Sequence, residues 1–144
     1  MYWKNLLLVT SLLLGAQAIA ADADVIQKLK TTTSFDGATT GFAPTRSKNY
    51  SAYAEALALG PKIRKDLDVV LAKGSPSARL YAAMLIRKQD KAAGDKALKN
   101  LLADKAQVNY CLSGCGISRF TVGDAAKDLL SQKSDPLRDQ LGGE

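Results

Sequence analysis

"SPSARLYAAMLIRKQDKAAGDKALKNLLAD", residues 75–104, holds two helical segments end to end with a stop between them. Ser75 stands where an N-cap belongs, Pro76 follows at the first helical position, and Leu80, Ala83, Met84 and Arg87 recur at helical spacing. Asp90 ends that pattern and caps the next, whose Gly94, Ala97, Leu98, Leu101 and Leu102 form an apolar side. Two amphipathic helices joined by so tight a corner make an antiparallel hairpin. This reading sets the expectation for the rest of the chain.

Upstream, "YSAYAEALALG" (residues 50–60) puts Tyr53, Ala54, Leu57 and Ala58 on one face before Gly60. "PKIRKDLDVVLAKG" (residues 61–74) starts at Pro61, carries Ile63, Leu67, Val70 and Leu71 on one stripe, and stops at Gly74. Four helices in two hairpins result. Downstream, "TVGDAAKDLLSQ" (residues 121–132) offers a further helix, with Thr121 as N-cap and Asp124 completing an acidic variant of the capping box. Ala21–Lys30 reads as a short amphipathic helix bearing Val25, Ile26 and Leu29, whereas "TTTSFDGATTGFAPTRS" (residues 31–47) reads as loop or short extended pieces. Phe35 and Phe42 in that stretch are expected to fold back onto the domain, because large rings gain by burial. The tail from residue 133 to 144 is charged, broken by Pro136 and expected to fray.

Helical hairpins repeated in series and rich in Ala on their buried side are what a short solenoid requires. Residues 41–132, including "GFAPTRS", "RLYAA", "SGC" and "TVG", resemble exported bacterial proteins with HEAT-like repeats. The resemblance implies an all-α fold, a short HEAT-like stack of antiparallel hairpins over residues 48–132, and an exported setting. It brings no catalytic residues with it.

The N-terminus supports export on its own terms. Lys4 precedes an apolar core from Leu6 to Leu14, and the small residues Ala16, Ala18 and Ala20 follow, the layout of a secretory signal cleaved before Ala21. The core covers about nine residues, where a spanning helix needs roughly 20, so residues 1–20 are expected to be removed, leaving no stable membrane insertion. Losing Lys4 lowers the formal charge from +6 to +5. A secreted or periplasmic protein of mild positive charge suits acidic partners and also stays soluble.

The chain has two cysteines, Cys111 and Cys115, in "QVNYCLSGCGISRF" (residues 107–120). A three-residue hairpin loop would face them at a separation of roughly 5 Å between α-carbons, within reach of a disulfide. An exported chain normally oxidises such a pair, and the closed loop would contribute about 2 kcal/mol. The expectation is a small disulfide-closed β-hairpin or loop before the last helix. A thiol-redox role for the same pair is the alternative, with Arg119 as a nearby cation.

Other chemistry is sparse. The chain contains no histidine, which excludes Ser-His-Asp and Cys-His arrangements and His-ligated zinc. Glu55 and Glu144 are its glutamates, Asp90 and Asp124 serve as caps, and no glycine loop has a nucleotide fingerprint. The sequence therefore points to a non-enzymatic protein with no cofactor and no metal. Its cations, among them Arg64, Arg87, Lys88 and Lys96, do not interleave with aromatics, so nucleic acid is not the expected partner. Another protein is. Arg79, Tyr81, Arg87, Lys91 and Tyr110 are the candidate contact residues, in a scaffolding module or in an inhibitor or immunity protein for an envelope enzyme.

Overall fold

The computed structural model describes residues 4–40, 45–112 and 116–137. Six α-helices run in chain order as α1 (Lys4–Lys30), α2 (Lys48–Leu59), α3 (Arg64–Lys73), α4 (Pro76–Gln89), α5 (Lys91–Leu101) and α6 (Val122–Ser131). A 3₁₀ turn over Gly60–Ile63 joins α2 to α3, entered through Gly60 at φ 66°, a left-handed conformation that glycine adopts without steric cost. The strands are β1 (Ser34–Asp36), β2 (Thr39–Thr40), β3 (Thr45–Arg46), β4 (Gln107–Cys111) and β5 (Ser118–Thr121).

The caps fall where local chemistry puts them. Ser75 accepts from the Ala78 N–H at 3.2 Å, Asp90 from that of Ala93 at 3.0 Å, and Thr121 from that of Asp124 at 3.1 Å. α4 is the central element. Every residue from Leu80 to Ile86 is buried, because the helix is packed by α3, α5 and α6 and also meets β1 and β4. A helix that is apolar nearly all round belongs inside a domain.

The all-α, HEAT-like stack is not what forms. In a solenoid each hairpin meets only its neighbours, whereas here β1 pairs in parallel with β4 and β4 pairs antiparallel with β5, giving a mixed three-stranded sheet in the order β1-β4-β5. A separate antiparallel ribbon joins β2 to β3. The stretch expected to be loop or short extended pieces supplies three short strands, one of them in the sheet, and α1 packs on α2, α3 and α4. Burial drives the pairing: Phe35 is fully enclosed, and β4 alternates exposed Gln107 and Asn109 with buried Val108 and Tyr110.

No disulfide is present among the described residues, so the expected Cys111–Cys115 bond is not part of the observed fold. In the β4–β5 hairpin Val108 faces Phe120 and Tyr110 faces Ser118, while Cys111 pairs with Asp36 of β1. Cys111 instead ends β4 at 4 % exposure, and its carbonyl accepts from the Gly37 N–H at 2.7 Å. Cys115, the rest of the loop tip at residues 113–114, and Phe42 lie outside the described residues.

Six rings form a row through the core: Phe120, Tyr110, Phe35, Tyr81, Tyr53 and Tyr50, with successive centroids 4.5 to 5.6 Å apart. Tyr81 also binds backbone. Its hydroxyl accepts from the Asp36 N–H at 2.7 Å and donates to the Asp36 carbonyl at 2.8 Å, tying β1 to α4. Tyr81→Phe keeps the ring but leaves two buried main-chain groups unsatisfied, so it should cost about 2 kcal/mol. Urea unfolding should show a lower midpoint at an unchanged slope.

Candidate functional site

Two concentrations of polar side chains stand out, and they differ in kind. The first is closed. Asp36, nearly buried beneath α2, accepts from Ser34 Oγ at 2.6 Å, from Asn49 Nδ2 at 2.9 Å and from the Ser47 hydroxyl. Ser47 caps α2, and the Asn49 amide oxygen accepts from the Thr33 N–H at 3.0 Å. Every Asp36 oxygen is occupied by a neighbour, so this cluster fastens the β1 segment to α2.

The second is open. A cleft of about 200 Å³ lies between the C-terminal end of α4, the start of α5 and the segment after α6. Met84, Arg87, Lys88, Lys91, Gln132, Lys133, Ser134 and Asp135 line it. Basic residues in the last turn of α4 complement the negative end of its dipole. Behind them stands Asp95 of α5, whose Oδ1 lies 2.7 Å from Arg87 Nε and whose Oδ2 lies 2.8 Å from Lys91 Nζ. The Lys91 hydrogen bond, aided by the Arg87 charge, holds the Asp95 carboxyl below the usual carboxylate range against the opposing effect of burial. Arg87 Nη1 also donates to the Leu129 carbonyl at 3.1 Å, which fixes the guanidinium between α5 and α6. Lys88 pairs with Asp135. Lys133 is exposed and has no ion-pair partner among the described residues. Four cations against Asp95 and Asp135 leave the site two charges positive.

Of the five residues singled out from the sequence, the structure brings Arg87 and Lys91 together in this cleft, joined through Asp95. The other three lie elsewhere. Arg79 pairs with Asp104, whose Oδ1 accepts from the Ala106 N–H at 3.0 Å and whose carbonyl accepts from the Gly123 N–H at 3.0 Å, a knot joining α4, the α5–β4 turn and α6. Tyr81 is 0 % exposed. Tyr110 donates to Asp128 Oδ2 at 2.7 Å and ties the sheet to α6. Sequence reasoning missed Lys133 and Asp135, which reach the cleft because the segment after α6 turns back. The signal available for that turn was Leu137, one of two leucines in a mostly polar tail.

Comparison with known proteins finds no matching family, no matching curated protein and no matching solved structure. Among the described residues, no helix is long and apolar enough to cross a membrane. What the fold and site define is a helical domain built around a small mixed sheet, with one cationic cleft at the end of its central helix.

Proposed function

We propose that this chain is an exported, non-catalytic protein-binding domain whose partner presents an acidic segment to the cleft at the end of α4. The observation that carries the reading is the convergence of Arg87, Lys88, Lys91 and Lys133 on one concave surface with a net positive charge. Arg87 and Lys88 are held by ion pairs, so part of the site is organised before any partner arrives. Lys91, its side chain 75 % exposed, and Lys133 stand at the rim, where charges steer an approaching anion and set the rate of encounter. Met84 adds an apolar contact within the same cleft. Export rests on the Lys4, Leu6–Leu14 and Ala18–Ala20 pattern at the N-terminus.

The test begins with the full-length chain made in an exporting host. An intact mass beginning at Ala21 is the expected product. That protein is then titrated into fluorescein-labelled peptides, one rich in Asp and Glu and one rich in Lys, with anisotropy read at low and high salt. The acidic peptide should bind, more weakly as salt rises. Lys91→Glu with Lys133→Glu, at two rim positions, should weaken binding about tenfold while the melting temperature falls by only a few degrees, the cost of the exposed Lys91–Asp95 pair. Equal binding of both peptides, or a double variant that binds as tightly as the parent, would place the partner surface elsewhere.

A further inference from the structure

The segment after α6 does more than wall the cleft. Gln132 leaves α6 in an extended conformation, and the chain then returns to the domain and buries Leu137 in the core at 2 % exposure. The Leu137 carbonyl accepts from the Tyr50 hydroxyl at 2.9 Å, and its N–H donates to Asp135 Oδ1 at 3.1 Å. Leu137 is therefore an anchor, and Asp135 is positioned by it. The other carboxylate oxygen of Asp135 faces Lys88, making Asp135 the one acidic residue among the described residues that line the cleft itself. Beside this strap the Tyr53 hydroxyl is buried with no hydrogen-bond partner among the described residues. Burial first, and the Asp135 charge second, hold it protonated.

A carboxylate already paired with a cation inside a cleft suited to carboxylates is a competitor for any acidic ligand. We infer that Asp135 is a built-in occupant of the site, which a carboxylate of the partner's acidic segment displaces from Lys88, so that the strap of residues 132–137 gates binding. The inference rests on the cationic-cleft reading. Exchange of one carboxylate for another conserves the Lys88 ion pair, and Leu137 keeps the strap attached while Asp135 moves aside. The gate thereby raises the threshold for weakly acidic ligands and admits those with several carboxylates in reach of Lys91 and Lys133 as well.

Asp135→Asn separates the possibilities, because an amide oxygen can still accept from the Leu137 N–H while the charge is gone. Against the labelled acidic peptide, Asp135→Asn should bind roughly fivefold more tightly than the parent. Adding Lys88→Gln should weaken both backgrounds and remove most of the difference between them, the sign of direct coupling. In the unaltered protein, addition of the peptide should shift the Leu137 amide resonance, because the Asp135 oxygen it binds must move. This readout needs no variant. Peptide binding by the parent with no gain in Asp135→Asn, or with a motionless Leu137 amide, overturns the gate and leaves the cleft reading intact. Absence of binding by both parent and Asp135→Asn overturns the cleft reading and the gate with it.

Discussion

Above pH 10 the folded domain should lose up to about 4 kcal/mol of stability per pH unit, because three buried tyrosines cannot ionise where they stand. Burial is the leading cause in each case, pushing Tyr53, Tyr81 and Tyr110 above the ordinary tyrosine value of 10. The charge of Asp135 adds to it at Tyr53, the hydrogen bond to Asp128 adds to it at Tyr110, and the bond to the Asp36 backbone opposes it at Tyr81. In the unfolded chain the same hydroxyls titrate near 10. Above that pH the unfolded state binds fewer protons than the folded one, so the stability contributed by the neutral hydroxyls is complete below pH 10 and falls as pH rises towards the folded values. Domains of ordinary stability hold about 5–15 kcal/mol in reserve. Unfolding is therefore expected within a few pH units of 10. Tyrosinate absorbance and far-UV circular dichroism, followed together, check this: part of the absorbance change should be delayed and coincide with loss of helix. Complete titration near pH 10 with the helical signal intact would show that these hydroxyls reach water in the folded state.

The same tyrosines show how far the sequence could be read. Several helix ends were legible because they are written in a few adjacent residues, as at Ser75-Pro76, Asp90 and Thr121 with Asp124, whereas the Ser47 cap of α2 was read as loop. The sheet was not. β1 is three residues long, sits in a run of Thr and Gly, and pairs in parallel with β4, whose residues lie more than seventy positions further on. Nothing local marks such a partner, so the hairpins around it suggested a solenoid. The cysteine expectation failed for a different reason. Alternation places Val108 and Tyr110 on one face, and a slip of two residues in the hairpin keeps every side chain on its face. The pattern alone could not choose between a register that opposes Cys111 to Cys115 and the observed one, which sets Tyr110 against Ser118. Part of the candidate cleft was legible, since Arg87 and Lys91 stand near the Asp90 corner that the caps marked, although Leu102, expected on the apolar side of α5, is exposed. Lys133 and Asp135 depend on a chain reversal anchored by one leucine.

Gly94→Ala is expected to destabilise the domain by about 3 kcal/mol, although alanine is the better helix former by about 1 kcal/mol. The reason lies in how closely α5 approaches α4. A Cβ built on Gly94 would stand 2.2 Å from both Cα and Cβ of Arg87 and 2.4 Å from its backbone nitrogen. Backbone atoms of a buried helix cannot swing aside as the end of a long side chain can, so the two helices must separate. Arg87 is also the residue whose guanidinium reaches both Asp95 and the Leu129 carbonyl, and both reaches depend on that separation. The substitution should therefore lower the melting temperature by roughly 10 °C and weaken acidic-peptide binding even at temperatures where the variant remains folded. The two readouts together separate a packing defect from a change in helix propensity. A melting temperature that rises, as propensity alone requires, would mean that α5 does not rest on Arg87. If the melting temperature falls while peptide affinity holds, the cleft does not depend on the spacing that Gly94 permits, and Lys91 and Lys133 at the rim account for binding.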